Sequence, residues 1–337
     1  MRTVSDIRVV QSFRAPRTTS NPYVWMLDDA LERTAGLDHR RFSWPLALFG
    51  RYDVIHFHWP EVALGGRTPL RRLVRDLRFQ ALMWRLRLTR TPLVRTIHNL
   101  ELPSDLTPWE RRMLAAVRDR SQVGIALNEQ TSTADTTALI PHGHYVDWFA
   151  EYPVAEPVVG RIAFVGLIRR YKGVEDLLDA FAMLRARRSN VSLVIAGNPT
   201  SSEMATEVRA RAVDVDDVSL DFGYLSEAAY AHAVTASQLV VLPYRFMHNS
   251  GSVLAALSLN RPVLVPENDV NRALSAEVGP GWVHLYAGEL DDDDLERALR
   301  DASLAPAAPD LSRRGWAQTG EAHREAYVTA RTRQRRR

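Results

Sequence analysis

Two periods alternate along the chain. Short apolar runs bounded by turn residues read as buried strands, and stretches with apolar positions every three or four residues read as helices. IRVVQSF (7–13), DVIHFHW (53–59), PLVRTIHNL (92–100) and VGIALN (123–128) are predicted strands of the first half. Helices are predicted at YVWMLDDALERTAG, which ends at Gly36, over about 69–88, and around 108–118. IPHGHYVDWF (140–149) closes this half, and the same grammar then restarts. RIAFVGLI (161–168), VSLVIAG (191–197), VSLDFGYL, QLVVLPY and RPVLVP read as strands. GVEDLLDAFAMLRARR, SEAAYAHAVTAS and the segment after Ser-Gly-Ser at 250–252 read as the helices between them. Strand–helix alternation of this kind predicts parallel sheets covered by helices.

A chain of 337 residues is long for one core, and about 150 residues per domain is the usual scale. The Pro-rich, aperiodic FAEYPVAEPVVG (149–160) is the natural linker. The expected architecture is α/β, with two Rossmann-like doubly wound domains facing a cleft. One spans 1–150 and the other 158–305. A helix over 306–330 is expected to pack back toward the first domain, with 331–337 a solvated, disordered basic tail.

Composition narrows the chemistry. The chain has no cysteine, which excludes disulfides, thiol nucleophiles and Cys-zinc sites. The start MRTVSDIRVVQSF reads as a charged entry to a strand rather than a signal peptide. No apolar run approaches the roughly 20 residues of a membrane span, and a cytoplasmic location is expected. Of the 43 Lys and Arg residues only Lys172 is lysine. Where arginine serves every surface role, a single lysine is either a chance survivor or a position that needs a compact ammonium on a flexible stem, and its neighbours decide between the two.

Lys172 lies in GLIRRYKGVEDLL (166–178), where a strand ends in glycine and Gly173 opens a helix. Ligands of open α/β sheets bind at the carboxyl ends of strands. A helix N-terminus with a nearby cation binds anions. Taken alone, these residues fit a basic surface turn equally well. In YRFMHNSGSVLAALSLNRP (244–262), Ser250, Gly251 and Ser252 stand at the start of an apolar helix. Their N–H groups and hydroxyls suit a diphosphate, although Ser250 also fits a plain N-cap. Two anion-shaped features on strand ends of one domain favour a diphosphate ligand.

These segments, with VSLVIAGN and FGYLSEAAYAHAVTASQLVVLPY between them, resemble in order and spacing the nucleotide-sugar domain of two-domain (GT-B) glycosyltransferases. The likeness is to the large group 1 family, with DVIHFHWPE, RTIHN and IPHGHYVDWF as matching features of the first half. The resemblance implies that Lys172, assisted by Arg169, neutralises the donor diphosphate, held also by Ser250, Gly251 and Ser252. It places Tyr224 and Leu225 against the nucleotide base and His98 against the donor sugar. It implies no metal and no cofactor beyond the nucleoside diphosphate sugar as co-substrate, since protein cations and helix dipoles serve the leaving group. The acidic run at 291–294 is read as the N-terminal turn of a helix, not a metal site.

Retaining members of the family carry two glutamates separated by seven residues where this chain has Met247 and Ala255. Their contacts are missing or replaced, with His248, Asn249 or Glu267 the candidates. Leu167 likewise replaces the family arginine after the strand glycine. Inversion at the anomeric carbon becomes plausible. It needs a general base near the acceptor hydroxyl, expected across the cleft from the first half. Glu61 in HFHWPE ranks first, Glu101 in HNLE second and His98 third, while Asp28 and Asp29 lie mid-helix and are weaker. His56 and His58 alternate along a buried strand, so that one of them is expected to face the core.

Residues 67–95 hold nine arginines and a single acid, Asp76, interleaved with Leu73, Leu77, Leu82, Trp84, Leu86 and Leu88. A basic amphipathic helix carrying Trp suits an anionic membrane interface, and a core-packed helix with a solvated basic face is the alternative. No reader motif supports nucleic acid. The expected activity is transfer of a hexose from a nucleoside diphosphate sugar to a glycan or lipid-linked glycan. Mannose from GDP-mannose is favoured because HWPE, HNL and the glutamate-free loop resemble the xanthan-type β-mannosyltransferases. The enzyme is expected to be peripheral on the inner face of the cell membrane. The residues leave open an epimerase of the same fold and a non-catalytic partner subunit.

Overall fold

A computed structural model describes residues 6–16, 21–66, 68–98, 106–131, 137–305 and 307–336. In chain order the elements are β1 (Ile7–Gln11), α1 (Pro22–Arg33), β2 (Leu37–Arg40), α2 (Trp44–Phe49), β3 (Val54–Phe57), α3 (Pro69–Leu88), β4 (Leu93–Ile97), α4 (Pro108–Arg120), β5 (Ser121–Ala126) and β6 (Thr137–Leu139). There follow α5 (Val146–Phe149), β7 (Val158–Val165), α6 (Val174–Arg187), β8 (Ser192–Gly197), α7 (Ser202–Ala212), β9 (Val218–Phe222), α8 (Glu227–Thr235), β10 (Ser237–Val241) and α9 (Gly251–Ser258). The chain ends with β11 (Val263–Pro266), α10 (Asp269–Val278), β12 (Val283–Tyr286), α11 (Asp292–Ala302) and α12 (Trp316–Arg336). It divides into two compact units, residues 1–143 with 314–337, and residues 144–313.

Among the described residues each unit contains one six-stranded sheet, ordered β2-β1-β3-β4-β5-β6 in the first and β12-β11-β10-β7-β8-β9 in the second. Every pairing is parallel. In both sheets the strand order reverses beside the first strand of the unit. Such reversals open crevices at the carboxyl ends of strands, where ligands of this architecture bind. The expected α/β class with two Rossmann-like folds is therefore the observed one.

Local sequence explains where the helices begin. An Asn or Thr cap followed by Pro opens α1 (Asn21, Pro22), α3 (Thr68, Pro69) and α4 (Thr107, Pro108). The cap oxygen accepts an orphan N–H while proline supplies a helical φ without needing a donor. In α4, Glu110 also reaches back to the Thr107 N–H at 2.7 Å and completes a capping box. Asp291 caps α11 in the same reciprocal way with Asp294, so the acidic run is a helix start as read from the sequence.

The sheet of the first unit is buried between α3 and α4 on one face and α1 and α12 on the other, with Phe57, Phe79, Leu82, Leu86 and Leu93 in the α3 and α4 layer. The basic segment read as a solvated tail is instead helical through Arg336. Its residues are tied down: the Arg333 guanidinium donates to Gln122 O, and Gln334 accepts from the Gln122 amide. Alternate arginines leave enough side chains on the packed side for the last turns of α12 to dock.

Candidate active site

In the second unit, β7 delivers its carboxyl end at Gly166, and a single 3-10 turn over Arg170–Lys172 leads into α6. Gly173 joins the two at φ +63°, where a Cβ would lie 2.3 Å from Pro243 O. Only glycine permits both the left-handed backbone and that approach. The turn is thereby pressed against the loop after β10, and Arg245 N donates to Tyr171 O at 2.9 Å. Lys172 is left only 8% exposed. Its ammonium donates to the Tyr244 hydroxyl at 2.9 Å, and that hydroxyl donates to Ser252 Oγ at 3.2 Å. Burial lowers the Lys172 pKa to about 8, with the nearby Arg169 pressing the same way and Tyr171 opposing. The same burial raises the Tyr244 phenol to about 12.

Ser250 is the N-cap of α9, accepting from Val253 N at 3.3 Å, and Gly251 is its first residue. The helix is apolar all round and buried from Val253 to Ser258, which fixes its amino end beside the Lys172 ammonium. Lys172, Ser250, Gly251 and Ser252 are thus brought together through Tyr244, a side chain that sequence reasoning did not single out. Its signal was the Pro-Tyr pair ending the apolar run of β10. Arg169 lies on the exposed flank of the same turn.

Met247 and Ala255 are both buried. Asn271 anchors the first of them, donating to Pro266 O at 2.7 Å and lying 3.3 Å from the Met247 sulfur. Asn268 holds the Met247 carbonyl at 3.0 Å. The positions where retaining relatives resemble this loop but carry glutamate are therefore apolar and packed inward. His248 and Asn249 are half-buried beside them. Glu267 is exposed and paired with Arg272 at 2.9 Å. Tyr224, 68% exposed, and half-buried Leu225 follow β9. A cavity of about 610 Å³ in this unit lies at the opposite, amino ends of the strands, lined among others by Val159, Gln238, Pro262 and Trp282. Its position separates it from the Lys172 cluster.

In the first unit the carboxyl ends of β3 and β4 carry a knot of aromatic and imidazole rings. His98 stacks on Trp59 at 3.9 Å, and Tyr23 lies edge-on to His98 at 5.5 Å. His56 and His58 are both buried, with ring centroids 4.0 Å apart. The expectation that only one of them faces the core is corrected. Residues two apart on a strand share a face, and here that face is covered by α1 and α12. His56 bonds to Thr96 and to the Tyr327 hydroxyl, both at 2.9 Å, and His58 to Gln11 at 3.0 Å. Burial, reinforced by neighbouring imidazoles, pushes His56, His58 and His98 well below the usual histidine value.

Glu61 sits in a 3-10 turn after β3 and faces a different environment. Burial raises its carboxyl, offset by its own backbone N–H and by Arg95 of β4. Arg95 belongs to the strand face opposite Thr96, so Glu61 and His98 approach the end of the sheet from different sides. Asp28 is buried between His39 at 2.7 Å and Arg41 at 2.8 Å. Burial raises its carboxyl, but those partners outweigh it and hold the value below the normal range, a structural ion pair. Asp29 pairs with Arg33 on the surface. Glu101 lies outside the described residues.

Two units, each built on a parallel Rossmann-like sheet, are the architecture of the GT-B glycosyltransferases. The family described as "Glycosyl transferases group 1" matches residues 160–304. The chain belongs to that family. It is 42% identical over 327 residues to the GDP-mannose:glycolipid 4-beta-D-mannosyltransferase of Xanthomonas campestris pv. campestris, covering 96% of this chain and 93% of that one. An alpha-D-kanosaminyltransferase of Streptomyces kanamyceticus is 29% identical over 44% of this chain and 41% of its own length. Among solved structures, Anabaena HepE in complex with UDP superposes with a TM-score of 0.60 at 13% identity, over 97% of this chain and 98% of that one. AviGT4, a glycosyltransferase of avilamycin A biosynthesis, gives 0.58 at 16% identity over the same shares.

Proposed function

We propose that this glycosyltransferase moves mannose from GDP-mannose to the sugar end of a glycolipid with inversion, working at an anionic membrane surface. The observation that carries the reading is the 42% identity, over nearly the whole length of both chains, to an enzyme whose name specifies that donor, acceptor class and β-linkage. The site supports it in detail. A buried ammonium and the amino end of α9 supply positive potential for a diphosphate leaving group. The loop lacks the carboxylates that retaining relatives place beside the donor sugar.

In the transfer, a base takes the proton of the acceptor hydroxyl while its oxygen bonds to the anomeric carbon. The carbon–phosphate oxygen bond breaks, and GDP leaves with the negative charge that Lys172 and the α9 N-terminus receive. Glu61 is proposed as the base: burial raises its carboxyl toward working pH, where a base is most effective. His98, held far below that range, suits a neutral hydrogen-bonding contact to a sugar better than proton abstraction. Because protein groups carry the leaving-group charge, turnover is expected to survive excess EDTA, and its abolition, restored by added Mg²⁺, would refute that part.

Among the described residues no helix is long and apolar enough to cross a membrane. Helix α3 nevertheless has two apolar faces. Phe79, Leu82, Met83 and Leu86 enter the core. Leu70, Leu73, Val74, Leu77, Trp84 and Leu88 are exposed, and their spacing of three, four and seven residues puts them on one side of the helix. This outer stripe beside the arginines supports insertion into an anionic interface.

The deciding experiment incubates the protein with labelled GDP-mannose or UDP-glucose, each with and without a glycolipid acceptor. Acceptor-dependent transfer of mannose alone is expected. Transfer of glucose alone, or donor conversion without acceptor, would overturn the reading.

A further inference from the structure

An ammonium on a four-carbon stem normally sweeps a wide volume, but Lys172 is held. One of its three N–H groups is taken by the Tyr244 hydroxyl at 2.9 Å, and the ammonium also lies 4.6 Å from the tyrosine ring centroid. On the other side it lies beside Gly166, where a Cβ would be in ordinary van der Waals contact with Nζ at 3.8 Å. The phenol has one hydrogen, and it points to Ser252 Oγ at 3.2 Å. Accepting from the lysine and donating to the serine uses both functions of that hydroxyl. Two ammonium N–H groups and the serine O–H are then left to a ligand at the amino end of α9.

Tyr244 is itself immobilised. It is 5% exposed, its ring packs edge-on to Tyr171 at 6.1 Å and against Phe164 at 6.4 Å, and its N–H bonds to Leu242 O at 2.8 Å. Among the described residues the titratable and charged groups around this cluster are Tyr171 and Arg169 on the lysine turn, Tyr230 of α8, and Arg245 on the tyrosine loop, which pairs with Asp176 of α6 at 3.1 Å.

We infer that Tyr244 is a positioning residue of the donor site, whose hydroxyl couples Lys172 to Ser252 and aims both at one phosphate group. The inference rests on the reading of this cluster as the diphosphate site. It assigns the pairing of the two halves of that site to a side chain that need not touch the donor. Accepting a hydrogen bond from the charged amine also favours the protonated form. Removal of the Tyr244 hydroxyl is therefore expected to lower the pH at which phosphate affinity is lost.

The test is calorimetric titration of GDP into the full-length wild type, Lys172→Ala, Tyr244→Phe, Ser252→Ala and the double variant Lys172→Ala/Tyr244→Phe, from pH 6.5 to 9. Thermal melts accompany each protein. Tyr244→Phe, which keeps the ring, is expected to weaken GDP about tenfold at pH 8, the scale of one hydrogen bond to a charged group. It is also expected to move the alkaline loss of affinity to lower pH. In the Lys172→Ala background the Tyr244 change should cost clearly less than in the wild type, since only the aim of Ser252 is left to lose. If Tyr244→Phe melts early, Ser252→Ala is measured with and without Lys172→Ala. Non-additive losses are expected because Tyr244 couples the two side chains, whereas additive losses would overturn the coupling. Wild-type affinity and pH profile in Tyr244→Phe, with Lys172→Ala weakened, would overturn the positioning role and leave the diphosphate site standing. An equal loss with and without Lys172 would also overturn it, as a structural effect. Wild-type affinity in Lys172→Ala would overturn the diphosphate site itself.

Discussion

Lys172 is the single lysine among 43 basic residues, and burial has moved its ammonium down to about 8. Its rarity was visible in the sequence, but the reason for it was not. A guanidinium is planar and forked, whereas the ammonium bonded to Tyr244 beside Gly166 is a compact point charge. Lys172→Arg is therefore expected to recover little of the GDP affinity lost in Lys172→Ala, a loss of about 10–100-fold for charge-assisted bonds to phosphate. Isothermal titration checks both. Glu61 carries a separate prediction. As the base it should lose about 10²–10⁴ in kcat on change to Gln, with KM for GDP-mannose little altered. Its raised carboxyl should place the acidic limb of the kcat profile above the ordinary carboxylate range. A Glu61→Gln enzyme with wild-type kcat would transfer the role to Glu101 or His98.

Elements were legible where their period was strong and their caps explicit. The Thr-Pro and Asn-Pro starts of α1, α3 and α4 announce themselves, and the strands β7, β8 and β10 are nearly continuous apolar runs. By contrast β2, Leu-Asp-His-Arg, has one buried apolar residue and forms because it pairs with β1 at the sheet edge. No local pattern marks such a strand. Helix α3 shows a subtler limit. Its sequence reads as amphipathic, but only packing separates the leucines spent on the core from those on the outside. Trp84 is 56% exposed and Leu88 78%. Glutamate at Leu73, Trp84 and Leu88 together is expected to abolish co-sedimentation with anionic phospholipid vesicles, while the melting temperature stays within a few degrees. Undiminished sedimentation would refute membrane docking by this face.

Across the first unit, imidazoles far apart in sequence meet in one buried layer: His56, His58, His98, His142 and His323 are all held below the usual histidine value, chiefly by burial. For His142 and His323 the value falls to about 4. The unfolded chain binds protons at these sites from about pH 6.5 downward, whereas the folded chain does so only near 4. Stability is therefore complete above about pH 6.5 and declines as pH falls through the window between. Each such histidine contributes a slope of about 1.4 kcal/mol per pH unit there. Melting temperature should drop steeply from pH 7 to 5, and His323→Gln should shallow that drop. A flat profile would mean that the layer admits protons without opening.

The sequence by itself determined the alternating strands and helices, two parallel α/β units and the family. Periodicity, caps and a motif order spread along the chain are properties of neighbouring residues and survive without a fold. It also pointed to Lys172 and to Ser-Gly-Ser at 250–252 as an anion site, because strand ends and helix starts are local features. The tertiary structure alone decided what joins them. Tyr244 comes between the lysine and the serine because Gly173 lets the turn after β7 press against the loop after β10. It also decided that His56 and His58 share a covered face and that α12 is helical through Arg336. The inward packing of Met247 is likewise set by Asn271, 24 residues further along the chain. Such outcomes depend on which surfaces meet, and a chain read one residue after another carries no record of that.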